Sequence, residues 1–261
     1  MQLKRLYCLL ILLLSGLLAQ AAPVFDHNHS KFDTVLKEAV VVIGPKSQVR
    51  YSLIQKKPGL LDQYLDEVQS VTQSQYQQWS EHEKIAFLIN AYNALTIKLI
   101  LSKYPDLKSI KDLGGFFSGP WKIEFFTLFG EKRHLDYIEH GILRKQFKEP
   151  RIHFALVCAS IGCPALRDEV YIADRLNEQL DDAAKLFIRD TDRNRYNRGS
   201  ETLEISSIFK WFKGDFIKTH GSVEKFIARW VTNDRVLQKR IQNKEIDIDY
   251  LDYDWNLNAA D

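Results

Sequence analysis

The sequence predicts an α+β protein, predominantly helical with a small mixed sheet, folded as a single globular domain after a signal peptide. Three observations predict this class. Long segments carry apolar residues at helical spacing, a few short runs have the length and composition of strands, and no repeat or linker divides the chain. With 261 residues, of which 45% are hydrophobic, the chain can bury a sizeable core without disulfide bonds.

The first 21 residues predict a cleaved signal peptide. Lys4 and Arg5 form a short basic segment before the apolar run at 6–18, and Ala19 and Ala21 are small residues at the positions that a signal peptidase reads. The run is shorter than the roughly 18–20 residues of a spanning helix, which disfavours an N-terminal membrane anchor. We expect cleavage after Ala21, a secreted or periplasmic location, and no later segment that spans a membrane.

The charge balance and the apolar content each exclude one class of protein. The whole chain has 36 Lys and Arg against 34 Asp and Glu, and two of the basic residues lie in the predicted signal peptide. The mature chain therefore carries no net charge, whereas a nucleic-acid partner usually requires a basic excess. The high apolar content excludes an intrinsically disordered chain.

Residues 22–74 are predicted to form a helical lead-in that packs on the main domain at 75–261. The beginning of this segment, 22–32, has the composition of a mobile, solvated tail, in which His27 and His29 are not expected to hold a metal. After the tail, the spacing of apolar residues predicts helices at 32–42 and 58–71, with a short extended piece at 48–52.

The strongest helical pattern covers residues 80–103. Ser80 has the position of an N-cap and Glu83 follows three residues later, which predicts a capping box. The helix is apolar on almost every side and is therefore expected to be buried. Asn90 and Asn93 share one face of it, and a buried amide needs hydrogen-bond partners. They either hold neighbouring loops, which we favour, or line a substrate site.

The rest of the domain is expected to mix short strands and helices. The predicted elements are a hairpin over 122–135, a helix over 136–145, a buried strand over 152–158, a helix over 174–189, a strand over 202–205, a helical turn over 208–212, a helix over 222–232 and a strand over 246–250.

The densest set of reactive side chains lies between residues 136 and 163. A thiolate nucleophile needs a neighbouring base or cation, and an oriented imidazole supplies one. In the predicted hydrolase or acyl-transferase scheme, Cys158 attacks, His140 is the base and Glu139 orients the imidazole. Loop N–H groups near Ser160 hold the oxyanion. The substrate-binding candidates are Asn90, Asn93, Arg151, His153 and Ser160.

Structural roles remain open for two of these residues. Glu139 follows Asp136 by three residues and completes a capping box if the helix begins there. His153 precedes Cys158 by five residues, so within one strand the two side chains face opposite sides of the sheet. A direct pair between them is therefore disfavoured.

Cys158 and Cys163 also allow a function without catalysis. In an oxidising compartment they can form a disulfide. That alternative predicts a non-enzymatic binding or interaction module of the cell envelope, with an envelope protein or a small molecule as its ligand. A thiol–disulfide exchange protein is a third possibility, disfavoured because the spacing is wider than that of a Cys-x-x-Cys pair.

No metal or cofactor is expected. The segment 190–201 fits several positions of a calcium-binding loop, but Arg195 stands where such a loop needs glycine, and Arg193 and Arg198 oppose a cation. The chain also lacks the glycine-rich phosphate loops and the zinc-binding helix motif of common enzymes.

Several sequence blocks carry a family resemblance. The blocks at 83–95, 135–144 and 150–164, with a looser match at 253–258, resemble the family known as domain of unknown function 547. The resemblance is strongest over about 75–190. Together with the signal peptide it implies an uncharacterised, exported bacterial-type member, and it does not assign a reaction.

Overall fold

Helices supply most of the secondary structure in the computed structural model, which describes residues 24–115 and 119–260. The predicted signal peptide at 1–21 lies outside the described residues. The α-helices are α1 (Ser30–Ala39), α2 (Tyr51–Lys56), α3 (Gly59–Ser70), α4 (Gln73–Gln78), α5 (Glu81–Leu101), α6 (Arg144–Gln146), α7 (Leu176–Ile188), α8 (Ile208–Trp211), α9 (Lys213–His220), α10 (Val223–Val231) and α11 (Arg235–Gln242). A π-helix spans Tyr137–Leu143, and 3₁₀ helices lie at Ile110–Leu113, Pro120–Lys122, Pro150–Phe154 and Ala173–Arg175.

Short strands form small separate sheets in the described part of the chain. The strands are β1 (Val40–Ile43), β2 (Lys46–Val49), β3 (Phe126–Leu128), β4 (Glu131–Arg133), β5 (Asn194–Asn197), β6 (Thr202–Ser206) and β7 (Asp247–Leu251). The first two pairs are antiparallel hairpins, and the last three strands form a mixed sheet in the order β5-β6-β7, with β6 and β7 parallel. The predicted α+β class and single domain are confirmed.

Helix α5 is the centre of the larger hydrophobic core. The predicted capping box is confirmed, because the Ser80 N–H donates to Glu83 at 2.7 Å and the Glu83 N–H donates to the Ser80 hydroxyl at 3.2 Å. Nearly every side chain from Ile85 to Ile100 is buried, as expected for a helix that is apolar all round.

The same helix corrects one expectation from the sequence. By length and composition α5 could cross a membrane, whereas no segment after the signal peptide was expected to be apolar enough. In the structure 83% of its most apolar window is buried inside the protein. Its apolar surface is therefore covered by the core.

Residues of the C-terminal part of the chain form a second hydrophobic core. Helices α7, α9 and α10 pack on β6 around a set of phenylalanine rings. Phe226 is central to this set, with ring centroids 4.7 Å from Phe216 and 5.9 Å from Phe154. Because Phe154 belongs to the 3₁₀ helix Pro150–Phe154, it links this core to the segment that carries the cysteines.

The N-terminal part differs from the prediction in two places. The helix predicted over 32–42 ends at Ala39, because the β-branched residues of Val40–Ile43 pair with β2 as a hairpin. The prediction of a mobile, solvated tail is wrong from Phe25 onward. Phe25 packs on Trp79 and Phe87 with ring centroids 5.4 and 5.1 Å apart, and His29 is buried.

The buried strand predicted over 152–158 is also wrong. The chain forms a 3₁₀ helix as far as Phe154 and then an irregular buried stretch, residues 155–164, which we call the cysteine loop. A short apolar run indicates burial without deciding between helix, strand and loop. Since buried backbone groups need partners, an irregular path here requires hydrogen bonds from outside the segment.

Two asparagines of α5 provide such hydrogen bonds. The Asn93 side chain donates to the Ala155 carbonyl and accepts from the Val157 N–H, both at 2.9 Å. In the same way, Asn90 donates to the Tyr171 carbonyl at 2.7 Å and accepts from its N–H at 3.0 Å. Each side-chain amide therefore pairs with one backbone N–H group and one backbone carbonyl, which in a β-sheet would pair with a neighbouring strand.

Replacing Asn93 with alanine should destabilise the protein strongly. The substitution removes two buried hydrogen bonds and leaves one backbone donor and one acceptor unpaired, which should lower the free energy of unfolding by about 3 kcal/mol. Urea denaturation followed by circular dichroism measures the change. The matched control is Gln78→Ala on an exposed helical position, expected within about 0.5 kcal/mol of wild type. Equal effects of the two substitutions would contradict the anchoring role.

Candidate functional site

A cavity of about 410 Å³ opens beside the cysteine loop. Its walls come from α5, the π-helix, the cysteine loop, α8 and the C-terminal tail, which we define as residues 252–260. The volume is that of a site for a small organic molecule. Of the residues predicted to form a site, the structure brings together Glu139, His140, His153, Cys158 and Cys163 on these walls.

Other predicted site residues lie elsewhere. The amides of Asn90 and Asn93 are used by loop backbone, and neither residue lines the cavity. Arg151 donates to Glu149 at 2.7 Å and forms an ion pair with Asp181 at 3.0 Å, away from the cavity. The structure therefore does not bring these three residues to a common binding site.

Glu139 is the buried acid of the cavity. Its side chain hydrogen-bonds Tyr92 and is only 7% exposed. Burial raises the pKa of Glu139 to about 7, although the nearby Arg144 guanidinium opposes the rise. The carboxyl group therefore exchanges a proton near neutral pH. It lies on a π-helix, a form of helix that frequently occurs at functional sites.

The capping box suggested for Glu139 is wrong. Asp136 already has helical backbone angles, φ −56° and ψ −27°, and its side chain makes no capping hydrogen bond within the described residues. Asp136 and Glu139 therefore do not form a capping box, and Glu139 remains a candidate site residue on the cavity wall.

His140 does not have a free lone pair for the predicted role of base. Its Nδ1 lies 2.8 Å from an Arg144 nitrogen, and its Nε2 lies 3.7 Å from the Asp136 carboxylate. Because a guanidinium only donates, Nδ1 is the acceptor of that hydrogen bond. Burial lowers the pKa of His140, which favours the neutral ring that this arrangement requires.

His153 is held by an acid that the sequence did not reveal. Its Nε2 lies 2.8 Å from Asp215 Oδ2, and Arg144 Nε donates to the same oxygen at 2.6 Å. The ring also stacks on Phe212, with 3.8 Å between centroids. No sequence signal could have found Asp215, since it is 62 residues further along the chain, on α9, a helix that was not predicted.

The protonation of this pair follows from its surroundings. Burial lowers the pKa of His153 to about 4, so the neutral ring donates its Nε2 proton to Asp215. Although burial alone would raise the pKa of Asp215, hydrogen bonds from His153 and Arg144 hold it well below its usual range. The His153 Nδ1 atom makes no hydrogen bond to any described residue. With the predicted strand gone, the argument that His153 and Cys158 face opposite sides no longer applies, and both line the cavity.

The structure has Cys158 and Cys163 in the disulfide form, with their Cα atoms 6.3 Å apart. Cys163 is buried, whereas Cys158 is partly exposed on the cavity wall. The Tyr253 hydroxyl lies 3.2 Å from the Cys158 sulfur and 3.1 Å from that of Cys163, and the Cys158 N–H donates to the Cys163 sulfur at 3.0 Å. In this form Cys158 carries no thiolate, so the predicted nucleophilic attack requires prior reduction.

The C-terminal tail occupies the N–H groups that were predicted to hold an oxyanion. Ile161 donates to the Asn256 carbonyl at 2.8 Å, and Gly162 donates to the Asp254 carbonyl at 2.9 Å. A Cβ atom at Gly162 would lie 3.0 Å from Asp254 backbone atoms, so glycine permits this close approach. Ser160 is buried behind the tail, and its hydroxyl lacks a hydrogen-bond partner among residues 24–115 and 119–260.

Four aromatic side chains form a continuous wall on the cavity, and sequence analysis did not identify it. We define the aromatic wall as Trp121, Trp211, Tyr253 and Trp255. Trp255 connects the set, with ring centroids 4.5 Å from Tyr253, 5.6 Å from Trp211 and 5.8 Å from Trp121. Trp211 remains 46% exposed. The signal that could have found the wall is the aromatic pair at 253 and 255 in a polar tail.

Metal ligands do not cluster in the part of the chain that the structure describes. No group of three or more His, Cys, Asp or Glu side chains is arranged to hold an ion there. In the segment that partly fits a calcium loop, Asp190 instead pairs with Arg193 at 2.6 Å, and β5 follows.

Glu139→Gln should change how stability depends on pH. Because the pKa of Glu139 is raised from 4.5 to about 7 in the folded state, folded wild type holds the proton more tightly than unfolded chains do. Wild-type stability should therefore fall by about 2–3 kcal/mol, relative to the variant, as the pH rises from 5 to 8. Urea denaturation of both proteins at the two pH values measures this difference. Parallel pH profiles would show that Glu139 titrates as an ordinary carboxyl.

Comparison with known proteins supports only a domain family. No curated protein and no solved structure matches the chain. A family model does match, over a stretch that includes Glu139, His140 and both cysteines but ends before Asp215 and the C-terminal tail. That family is described as a protein of unknown function, which assigns no reaction. Residues 76–188 are thus similar to the family Protein of unknown function, DUF547.

Proposed function

We propose that the protein is an exported, non-enzymatic binding module of the cell envelope whose cavity binds a neutral carbohydrate. The observation that carries the proposal is that the aromatic wall lines the same cavity of ligand size as Glu139 and Arg144. Sugars present apolar C–H faces and polar hydroxyl edges. Aromatic rings pack on the former, and charged side chains form strong hydrogen bonds to the latter.

The charges of the cavity support a neutral ligand. Asp136 and Arg144 line the cavity with opposite charges, and Glu139 can either donate or accept a hydrogen bond near neutral pH. A ligand with many hydroxyl groups can use both roles, whereas a strongly charged ligand would meet an unfavourable group. This pattern of a few polar groups among aromatic side chains is typical of small-molecule sites.

The location is proposed from two independent features. The sequence at 1–21 has the pattern of a signal peptide. The Cys158–Cys163 disulfide is a bond that persists in oxidising compartments such as the periplasm. An exported binding protein would meet sugars of the cell envelope there.

The binding module is favoured over the cysteine hydrolase by the contacts of the predicted catalytic groups. The Cys158 sulfur is bonded to that of Cys163, and His140 Nδ1 accepts from Arg144. The loop N–H groups near Ser160 donate to the tail. Nucleophile, base and oxyanion donors would each have to be released before the predicted reaction begins.

Saccharide titration tests the proposal. The mature chain from residue 22 is titrated with a panel of neutral mono- and oligosaccharides, and binding is followed by intrinsic tryptophan fluorescence and calorimetry. We expect saturable binding of at least one saccharide. Trp211→Ala should weaken it about five- to thirtyfold, because a stacked ring contributes about 1–2 kcal/mol.

The control is Val236→Ala, which shortens a side chain that is 71% exposed and lies outside the cavity. This variant should bind like wild type. Absence of binding across the panel, or unchanged affinity in Trp211→Ala, would overturn the carbohydrate proposal.

A further inference from the structure

We propose that Cys158–Cys163 is an exchangeable disulfide, opened by a small-molecule thiol that enters the cavity and attacks the Cys158 sulfur. The Cys163 sulfur then leaves as a thiolate, which the Tyr253 hydroxyl and the Cys158 N–H stabilise. This activity is separate from carbohydrate binding, since it depends on the sulfur atoms and not on the aromatic wall as a whole.

Access distinguishes the two sulfur atoms. A thiolate must reach one sulfur of a disulfide to attack it, and the other sulfur is then the leaving group. Both cysteines line the cavity, but Cys158 is partly exposed whereas Cys163 is only 4% exposed. Attack from the cavity therefore reaches Cys158, and Cys163 leaves.

The leaving sulfur already faces two hydrogen-bond donors. The Tyr253 hydroxyl lies 3.1 Å from the Cys163 sulfur, and the Cys158 N–H lies 3.0 Å from it. Hydrogen bonds to an anion are stronger than those to a neutral sulfur, so both donors stabilise the thiolate more than the disulfide. Burial raises the pKa of Tyr253, which keeps its hydroxyl protonated and able to donate.

The cysteine loop does not depend on the disulfide for its position. Asn93 anchors the loop at Ala155 and Val157, the tail holds it at Ile161 and Gly162, and Arg193 donates to the Cys163 carbonyl. A cross-link between cysteines only five positions apart also restricts the unfolded chain less than a cross-link between distant residues does. Opening the bond therefore leaves the loop in place, ready to close again.

The reaction balances with two equivalents of thiol. The first thiolate forms a mixed disulfide with Cys158 and releases Cys163 as a thiolate. A second thiolate attacks the small-molecule sulfur of that mixed disulfide and releases Cys158 as a thiolate. The protein disulfide gains two electrons, and the two thiols lose them by forming one small-molecule disulfide.

The first experiment measures reduction of the native protein by glutathione. Samples are quenched with acid and alkylated, and the reduced fraction is read by mass spectrometry. Wild type should be reduced without denaturant, and Tyr253→Phe about tenfold more slowly, because one hydrogen bond to the thiolate is lost. The matched control, Tyr250→Phe, removes a hydroxyl on β7 and should react like wild type. In reduced Tyr253→Phe, alkylation of Cys163 should also shift to higher pH.

The second experiment uses paired variants that do not depend on Tyr253. With oxidised glutathione, Cys163→Ser should form a mixed disulfide at Cys158 rapidly, whereas Cys158→Ser should react slowly at the buried Cys163. Reduction that occurs only in denaturant, equal rates in both tyrosine variants, or preferential labelling of Cys163 would overturn the proposal. Saccharide titration has a different readout, so failure of one proposal is distinguishable from failure of the other.

Discussion

The hydrogen bonds between the Asn93 amide and the cysteine loop are the contacts on which the site depends. They come from the buried helix α5 and end on the backbone three residues and one residue before Cys158. A loop with no regular secondary structure would otherwise leave backbone groups unpaired in the core, at a cost comparable to a lost hydrogen bond for each. A helix thus holds in place a loop that belongs to no β-sheet, and further hydrogen bonds join the loop to the C-terminal tail.

Two carboxyl groups near the cavity, those of Asp215 and Glu139, have different protonation states because their surroundings differ. Hydrogen bonds from His153 and Arg144 keep Asp215 ionised. Glu139 is more deeply buried and has fewer hydrogen bonds to stabilise its charged form, so its pKa rises. The same neighbourhood therefore contains a fixed anion and a group that exchanges a proton near neutral pH. Arg144 hydrogen-bonds Asp215 and His140 and acts on Glu139 through its charge, so these polar groups form one connected network.

Local sequence patterns predicted the local features well. The Ser80 and Glu83 capping box, the buried α5 and the pinning by its asparagines follow from rules that act over a few residues. The cysteine loop was mistaken for a strand because an apolar run reports burial and not backbone path. The His153–Asp215 contact and the aromatic wall join residues far apart in the chain, and only tertiary packing brings them together. The structure accordingly places the candidate residues Glu139, His140, His153 and Cys158 on one cavity, whereas their long-range partners were not predicted.

The C-terminal tail imposes an order on how the cavity is built. Asn258 accepts from the Val49 N–H, donates to the Ala159 carbonyl, and so ties β2 to the cysteine loop, while Tyr253 and Trp255 supply part of the wall. These residues are translated after every other element that they contact. A chain that folds as it emerges therefore buries most of both hydrophobic cores before this side of the cavity is in place. Cleavage of the chain just before Tyr253 would remove two of the four rings of the aromatic wall, Tyr253 and Trp255, and would leave Trp121 and Trp211 without the ring that connects them.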